Sequence, residues 1–225
     1  GGGGAPMPKS IAIKLKKLTN LDYIEAYGLT ETMAPTHINP PHKTKLGSIG
    51  IPIFNVDARI IDIDKNTELG VNQVGELIIS SPQLFLGYLN NDNNHKYFIR
   101  LDNKNFFKTG DLAYFDKDGY FFVVDRLKRM INSSGYKIWP AEIEKILHNF
   151  DGIKEVCVIG IPDLRSGQKV KAIIVPENSH SEKKITNLKQ WCSSRMAKYK
   201  IPKIFEIRKS LPKNKMGKIM WREVK

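Results

Sequence analysis

Apolar and polar positions change their period midway along the chain. In the first 126 residues, apolar positions come in short alternating or continuous runs. VDARIID (56–62), VGELIIS (74–80) and YFFVVDR (120–126) predict strands, because strand side chains alternate between two faces and a continuous run suits a strand buried on both. Turn chemistry separates these runs at DKNTELG (64–70) and DKDG (116–119). Asp118-Gly119, between AYF and YFFVV, predicts a β-hairpin. An earlier helix is expected over 8–18.

Beyond that point helical spacing enters. Pro140 opens a predicted helix in PAEIEKILHNF (140–150): proline is tolerated in the first turn, Glu142 and Glu144 suit the positive helix end, and Ile143, Ile146 and Leu147 share a face. Asp151-Gly152 ends it. KEVCVIGIP (154–162), VKAIIVP (170–176) and KIFEIR (203–208) read as strands. ITNLKQWCSSRMAKY (185–199) reads as a second amphipathic helix, with Ile185, Leu188, Cys192 and Met196 in near-helical register. Alternation of strands and helices over this half predicts a small α+β domain. The boundary is expected at Asp125 to Lys128, giving domains 1–126 and 127–225.

The chain has 225 residues, enough for one large or two ordinary domains, and its 41% hydrophobic and 26% charged content is ordinary for a soluble globular protein. No apolar run approaches the roughly 20 residues of a membrane helix, and GGGGAPMPKS is no signal peptide. No transmembrane segment and a cytoplasmic location are therefore expected. Cys157 and Cys192 both lie in apolar runs and read as packing residues, not as a disulfide or metal pair. The net charge of +13 is unevenly spread: residues 1–126 hold 14 basic and 14 acidic side chains, whereas 127–225 hold 22 and 9. A basic second half suits either a polyanionic ligand or a solvated lysine surface. The charges are not interleaved with aromatics as a nucleic-acid platform requires, so no nucleic-acid partner is expected.

Three polar clusters carry candidate chemistry. In YGLTE, Thr30 could cap a helix start; alternatively Gly28 admits close backbone approach, Thr30 offers a hydroxyl to phosphate, and Glu31 supplies a hard carboxylate for Mg²⁺. In KTGDL, Asp111 could close a turn, or could accept the two hydroxyls of a ribose. Lys218 in LPKNKMGKIM follows a glycine, yet no glycine stands five residues before Gly217 and Ile219 replaces the hydroxyl, which excludes a Walker-type phosphate loop.

Taken in order, GGGGAPMP, YGLTETMAPTHINP, GSIGIP, GELIISSPQLFLGY, KTGDLAYFDKDGYFFVVDRLKRMINSSGYKIWPAEIEKIL and PKNKMGKI resemble the adenylate-forming superfamily of acyl-CoA synthetases, luciferases and peptide-synthetase adenylation domains. The likeness covers essentially the whole chain and is strongest to medium- and long-chain fatty-acyl-CoA synthetases. It implies the end of the large α/β domain, with a barrel-like β subdomain, followed by a small mobile α+β domain. It also implies a two-step reaction. A fatty acid attacks the α-phosphate of Mg·ATP to give acyl-AMP and pyrophosphate; coenzyme A then displaces AMP.

By the same resemblance, Gly2, Gly3, Gly4, Ala5 and Pro6 would lie against adenine, Tyr27 would stack on it, and Val123 would be its apolar neighbour. Thr30 would bind the α-phosphate, Glu31 the magnesium, and Asp111, helped by Arg126, the ribose hydroxyls. Lys128 matches the hinge about which the small domain rotates; Ser134, Gly135 and Tyr136 match the loop lining the pantetheine tunnel. Lys218 takes the role of the catalytic lysine, an ammonium positioned against the charge that develops in the first step.

Some family features are missing. No Ser/Thr/Gly-rich loop ending in Pro-Lys-Gly, which wraps the β- and γ-phosphates, occurs in the sequence, and the resemblance therefore implies the carboxyl-terminal portion of a longer synthetase with little activity alone. Trp221 stands where many relatives have an arginine, and Asn132 where some have a lysine. A ligase for aryl or short-chain acids and a non-catalytic basic binding module are the alternatives, and homodimerisation through uncovered apolar surface is allowed for.

Overall fold

The computed structural model describes residues 1–4, 7, 9–178, 187–215 and 217–224, with backbone only for Lys9 and Ser10. It divides into two compact units, Gly1–Leu127 and Lys128–Lys225.

In the first unit, helix α1 (Lys9–Thr19) lies between β1 (Gly2–Gly3) and β2 (Glu25–Gly28). β1 pairs in parallel with β2, and β3 (Pro35–Ile38) and β4 (Ile51–Pro52) extend this sheet antiparallel. A second sheet runs β5 (Asp57–Ile61), β6 (Gly75–Ser80), β8 (Lys104–Phe115) and β7 (Phe98–Leu101), with β9 (Phe121–Arg126) also on β8. β7 pairs with the first part of β8 and β9 with its last part. The continuous apolar run in β6 is explained by burial on both faces. Leu77 and Ile79 meet Ile49, Ile60, Ala113 and Phe121 on one side, while Ile78 meets Ile61 and Phe106 on the other. The two sheets are joined where Gly50 bridges Phe121. Gly50 has φ +94°, and a Cβ there would stand 2.1 Å from the Ile38 carbonyl carbon, so only glycine fits. Asp118-Gly119 forms the predicted hairpin between β8 and β9, with Gly119 at φ +79° and its N–H on the Asp116 carbonyl.

In the second unit, β10 (Ile131–Ser133) and β11 (Tyr136–Ile138) form a hairpin; β12 (Ile153–Asp163) and β13 (Gly167–Pro176) form a long antiparallel pair. β14 (Ile204–Ile207) runs parallel to β13. Strand alternation splits the core in two. Val156 and Val158 of β12 and Val170, Ala172 and Ile174 of β13 face α2 (Pro140–Leu147) and α3 (Leu188–Ser193), which bury Ile143, Leu147, Leu188 and Cys192 there. Cys157, Ile173 and Val175 face the opposite way, onto Leu211, Ile219, Trp221 and Val224. Both cysteines are free and buried, and burial pushes their thiols up, to about 12 for Cys157 and about 11 for Cys192.

Three local expectations need correction. YGLTE opens no α-helix: Tyr27-Gly28 ends β2, and Thr30–Thr32 is a single 3₁₀ turn whose preceding Leu29 N–H is held by Thr32 Oγ1, not by Thr30. KTGDL is not a turn but the centre of β8, where Gly110 at φ +69° gives local relief and the Thr109 hydroxyl, donating to the Leu77 carbonyl, absorbs the turn-like chemistry. The second helix is shorter than its pattern, because the Ser193 and Ser194 hydroxyls turn back to the carbonyls of Gln190 and Trp191 and compete with helix continuation. Its predicted start at Ile185 lies outside the described residues.

Candidate functional site

The first unit brings several expected residues together through strand register. Asp111 on β8 lies opposite Arg126 on β9, and Arg126 Nε donates to Asp111 Oδ1 at 2.7 Å. From β2, the Tyr27 hydroxyl donates to Asp111 Oδ2 at 2.6 Å. The carboxylate is 1% exposed, while the Arg126 side chain is half exposed. Burial, then the nearby Asp111 charge, pushes the Tyr27 phenol well above its ordinary range, so it remains a donor. Glu76 sits behind this group: Oε1 accepts the Gly110 N–H at 3.1 Å and Oε2 stands 3.6 Å from Lys108 Nζ. Its carboxyl is raised by burial, an effect Lys108 opposes.

Around this centre, Gly3 pairs with Ala26 beside Tyr27, and a Cβ on Gly3 would meet the Ala26 carbonyl oxygen at 2.6 Å. Gly28 is required by its own chain, since a Cβ would stand 2.8 Å from the Ala34 oxygen and 2.9 Å from Pro35 Cα. Gly4 at φ +84° has open space instead. Thr30 is exposed on the 3₁₀ turn; Glu31 beside it accepts a 2.6 Å hydrogen bond from the Tyr88 hydroxyl on Oε1. Val123 lies on β9, 38% exposed. Ala5 and Pro6 lie outside the described residues.

His37, the register partner of Tyr27, was missed by the sequence reading. It is fully buried, its ring lies 5.8 Å from that of Tyr27 and 4.8 Å from that of Phe121, and among the described residues Nε2 has no hydrogen-bond partner. Burial lowers its titration to about 3, so the imidazole is neutral.

In the second unit the expected residues stand on turns. Lys128 belongs to the 3₁₀ turn Leu127–Arg129 at the division between units. Ser134 and Gly135, at φ +51° and +81°, form the two-residue tip of the β10–β11 hairpin; both central residues having positive φ explains the glycine. Beside this tip is a cleft of about 370 Å³ lined in part by Ser134, Tyr136, Lys169, Lys198, Tyr199 and Lys203, with Tyr136 and Tyr199 stacked at 4.4 Å. The lysines and Tyr199 were missed because three separate segments supply them. Lys218 follows Gly217, at φ +79°, on a tight turn closed by Asn214, whose Oδ1 accepts the Lys218 N–H at 2.9 Å. Its side chain is exposed and has no carboxylate partner among the described residues. The neighbouring Ile219 anchors the turn on the sheet.

Among the described residues no group of three or more His, Cys, Asp or Glu side chains could hold a metal. Glu31 offers a cation one hard carboxylate, which fits Mg²⁺ when phosphate oxygens and water complete the shell. No described helix is long and apolar enough to cross a membrane.

Residues 1–89 match the model of the AMP-binding enzyme family and residues 142–218 that of the AMP-binding enzyme C-terminal domain. The chain is 36% identical over its full length to a long-chain-fatty-acid–CoA ligase of Escherichia coli O157:H7, and 37% identical over 99% of its length to 4-coumarate–CoA ligase-like 2 of Arabidopsis thaliana. It spans about 39% of the length of each. The ATP-bound RpMatB-BxBclM chimera B1 superposes with a TM-score of 0.90 at 30% identity, covering 99% of this chain and 44% of that one. o-Succinylbenzoate CoA synthetase (MenE) from Bacillus subtilis, in complex with its acyl-adenylate OSB-AMP, gives 0.81 at 30% identity, covering 99% and 45%. The chain belongs to the adenylate-forming, AMP-binding enzyme superfamily.

Proposed function

We propose that this chain supplies the ribose, magnesium, hinge and catalytic-lysine elements of an ATP-dependent, AMP-forming fatty-acid–CoA ligase. The observation that carries the reading is the buried Asp111 carboxylate, tied to Tyr27 and Arg126. Its oxygens are acceptors of the kind that the two ribose hydroxyls need, and Tyr27 is held at the edge of the same site. Glu31 would hold Mg²⁺, which neutralises phosphate charge when bound; Thr30 would donate to the α-phosphate from the same turn. Lys218, exposed and without a carboxylate partner among the described residues, would place its ammonium between the attacking carboxylate and the α-phosphate oxygens. The cleft beside Ser134, Gly135 and Tyr136 would take coenzyme A, its lysines facing phosphates and its stacked tyrosines offering an aromatic surface.

Long-chain fatty acids are the preferred substrate class, on the likeness to the Escherichia coli ligase. An aryl acid is the second reading, favoured by the equal likeness to the 4-coumarate–CoA ligase-like protein. The domains follow as residues 1–126, the end of the large domain, and 127–225, the small mobile one. The reaction is tested in a chimera in which this chain replaces the matching part of the Escherichia coli ligase. AMP release with palmitate and coenzyme A is expected, and release with 4-coumarate but not palmitate would favour the aryl reading. The chain alone is expected to show no acid-dependent ATP–pyrophosphate exchange, because it lacks the triphosphate-wrapping loop; exchange by the chain alone would overturn that expectation.

A further inference from the structure

The segment between β6 and β7 reaches back to the turn that carries Glu31. Its main chain does so first, the Phe85 N–H donating to the Glu31 carbonyl at 2.8 Å. Its side chain does so again, through the 2.6 Å bond from the Tyr88 hydroxyl to Glu31 Oε1. That distance is short, as expected for a hydroxyl donating to an ionised carboxylate.

Tyr88 is itself held from several directions. Asn94 accepts the Tyr88 N–H on Oδ1 and donates Nδ2 to the Tyr88 carbonyl, both at 2.8 Å. Gly87 precedes it at φ +146°, where a Cβ would lie 2.9 Å from the Asn94 side chain, so a larger residue would break this reciprocal pair. The Tyr88 ring meets Phe85 edge-on at 4.9 Å and Tyr97 at 5.0 Å. Phe85 in turn packs on Phe98 of β7 at 5.8 Å and Phe107 of β8 at 5.2 Å. A chain of rings thus runs from the second sheet to a single carboxylate oxygen. Among the described residues the other oxygen, Oε2, has no hydrogen-bond partner.

We propose that Tyr88 is a positioning residue for Glu31, fixing Oε1 so that Oε2 is the oxygen presented to a divalent cation. The inference rests on the reading of Glu31 as a magnesium ligand. A free glutamate must lose rotamer freedom when it takes up a metal; here the protein has already fixed the side chain, and the cation gains that difference. Phenylalanine at 88 would keep the ring packing and lose only the hydroxyl.

The test measures Mn²⁺ binding to the chimera, which supplies the triphosphate-wrapping loop, by water-proton relaxation in the presence of a non-hydrolysable ATP analogue. Wild type, Glu31→Gln and Tyr88→Phe are compared, and binding of the analogue without metal is measured as a control. Glu31→Gln should lose the metal-dependent signal. Tyr88→Phe should bind the analogue alone as wild type does but need roughly tenfold more Mn²⁺, a change typical for loss of a group that orients a metal ligand. If Glu31→Gln loses Mn²⁺ while Tyr88→Phe matches wild type, the positioning role is overturned and the assignment of Glu31 stands. If Glu31→Gln and wild type behave alike, the metal assignment falls and the inference falls with it. Should Tyr88→Phe fail to fold, Asn94→Ala, which keeps the phenol but frees its backbone, should weaken Mn²⁺ in the same direction; unchanged affinity there would overturn the proposal.

Discussion

In the first unit Asp111 is 1% exposed and tied to a tyrosine and an arginine, whereas in the second Lys218 stands exposed on a turn held by backbone contacts and its neighbour Ile219. One region builds its chemistry into the core, so geometry and folding depend on the same bonds. The other places its chemistry at turn tips, where a side chain can be changed without touching what holds the unit together. Function and stability should therefore be coupled in the first unit and separable in the second.

The largest effect expected is in the second unit. Lys218→Ala, made in the chimera, should lower acyl-adenylate formation by roughly 10²–10³, on the precedent of other preorganised donors, while stability changes by less than about 0.5 kcal/mol. Thioester formation from supplied acyl-AMP should suffer much less; an equal loss in both steps would place the lysine in both. A large fall in melting temperature would instead break the contrast between the units.

The next effect concerns acid. His37 takes up its proton near 3 in the folded chain, against an ordinary value of 6.5. As pH falls the unfolded chain protonates first, so this contribution to stability is fully present above about 6.5 and is lost between there and about 3. The slope can reach about 1.4 kcal/mol per pH unit for one proton. Glu25 and Glu76, whose carboxyls burial raises, act in the opposite sense, losing stability as pH rises through their folded values. The clean measurement is therefore the difference between wild type and His37→Leu in urea midpoints from pH 7 to 4. A difference that stays flat with pH would show that the imidazole is not kept neutral.

Asp111→Asn should cost the first unit about 1–2 kcal/mol, less than for a fully buried pair because Arg126 is half exposed, and should weaken nucleotide binding as well. Urea unfolding and AMP titration on the same sample check both; loss of affinity at unchanged stability would put this site in the separable class. The smallest effect is expected for Tyr136→Ala. Losing one ring of the Tyr136–Tyr199 stack should raise the KM for coenzyme A by about three- to tenfold, in line with the worth of an aromatic pair, leaving adenylate formation unchanged.

The legible parts of the fold were those where local pattern and tertiary role agree. The continuous apolar run of β6 announced burial on both faces, Asp118-Gly119 announced a hairpin, and Pro140 opened a helix. Even there, partners were hidden. Glu144, read as suiting a helix end, pairs with Arg129 and accepts the Val158 N–H, contacts supplied by segments about 15 residues away on either side. KTGDL carries every mark of a turn, and only β6 and β9 on its two sides decide that it is a strand. Individual site residues stood out by motif, but the Tyr27–Asp111 bond joins positions 84 apart. His37 was hidden for a related reason: a histidine in a strand has no local signature of being buried.

The shared use of β8 limits how this molecule can change. Its twelve residues are hydrogen-bonded along one side to β6 and along the other first to β7 and then to β9. Adding or removing one residue before Asp111 would reverse which face every later side chain points to, carrying the carboxylate away from Tyr27 while leaving the sequence almost intact. Variation in this strand is thus confined to exchange of one residue for another. Length can drift in the connection from Ser81 to Tyr97, up to the point where Tyr88 must still reach Glu31.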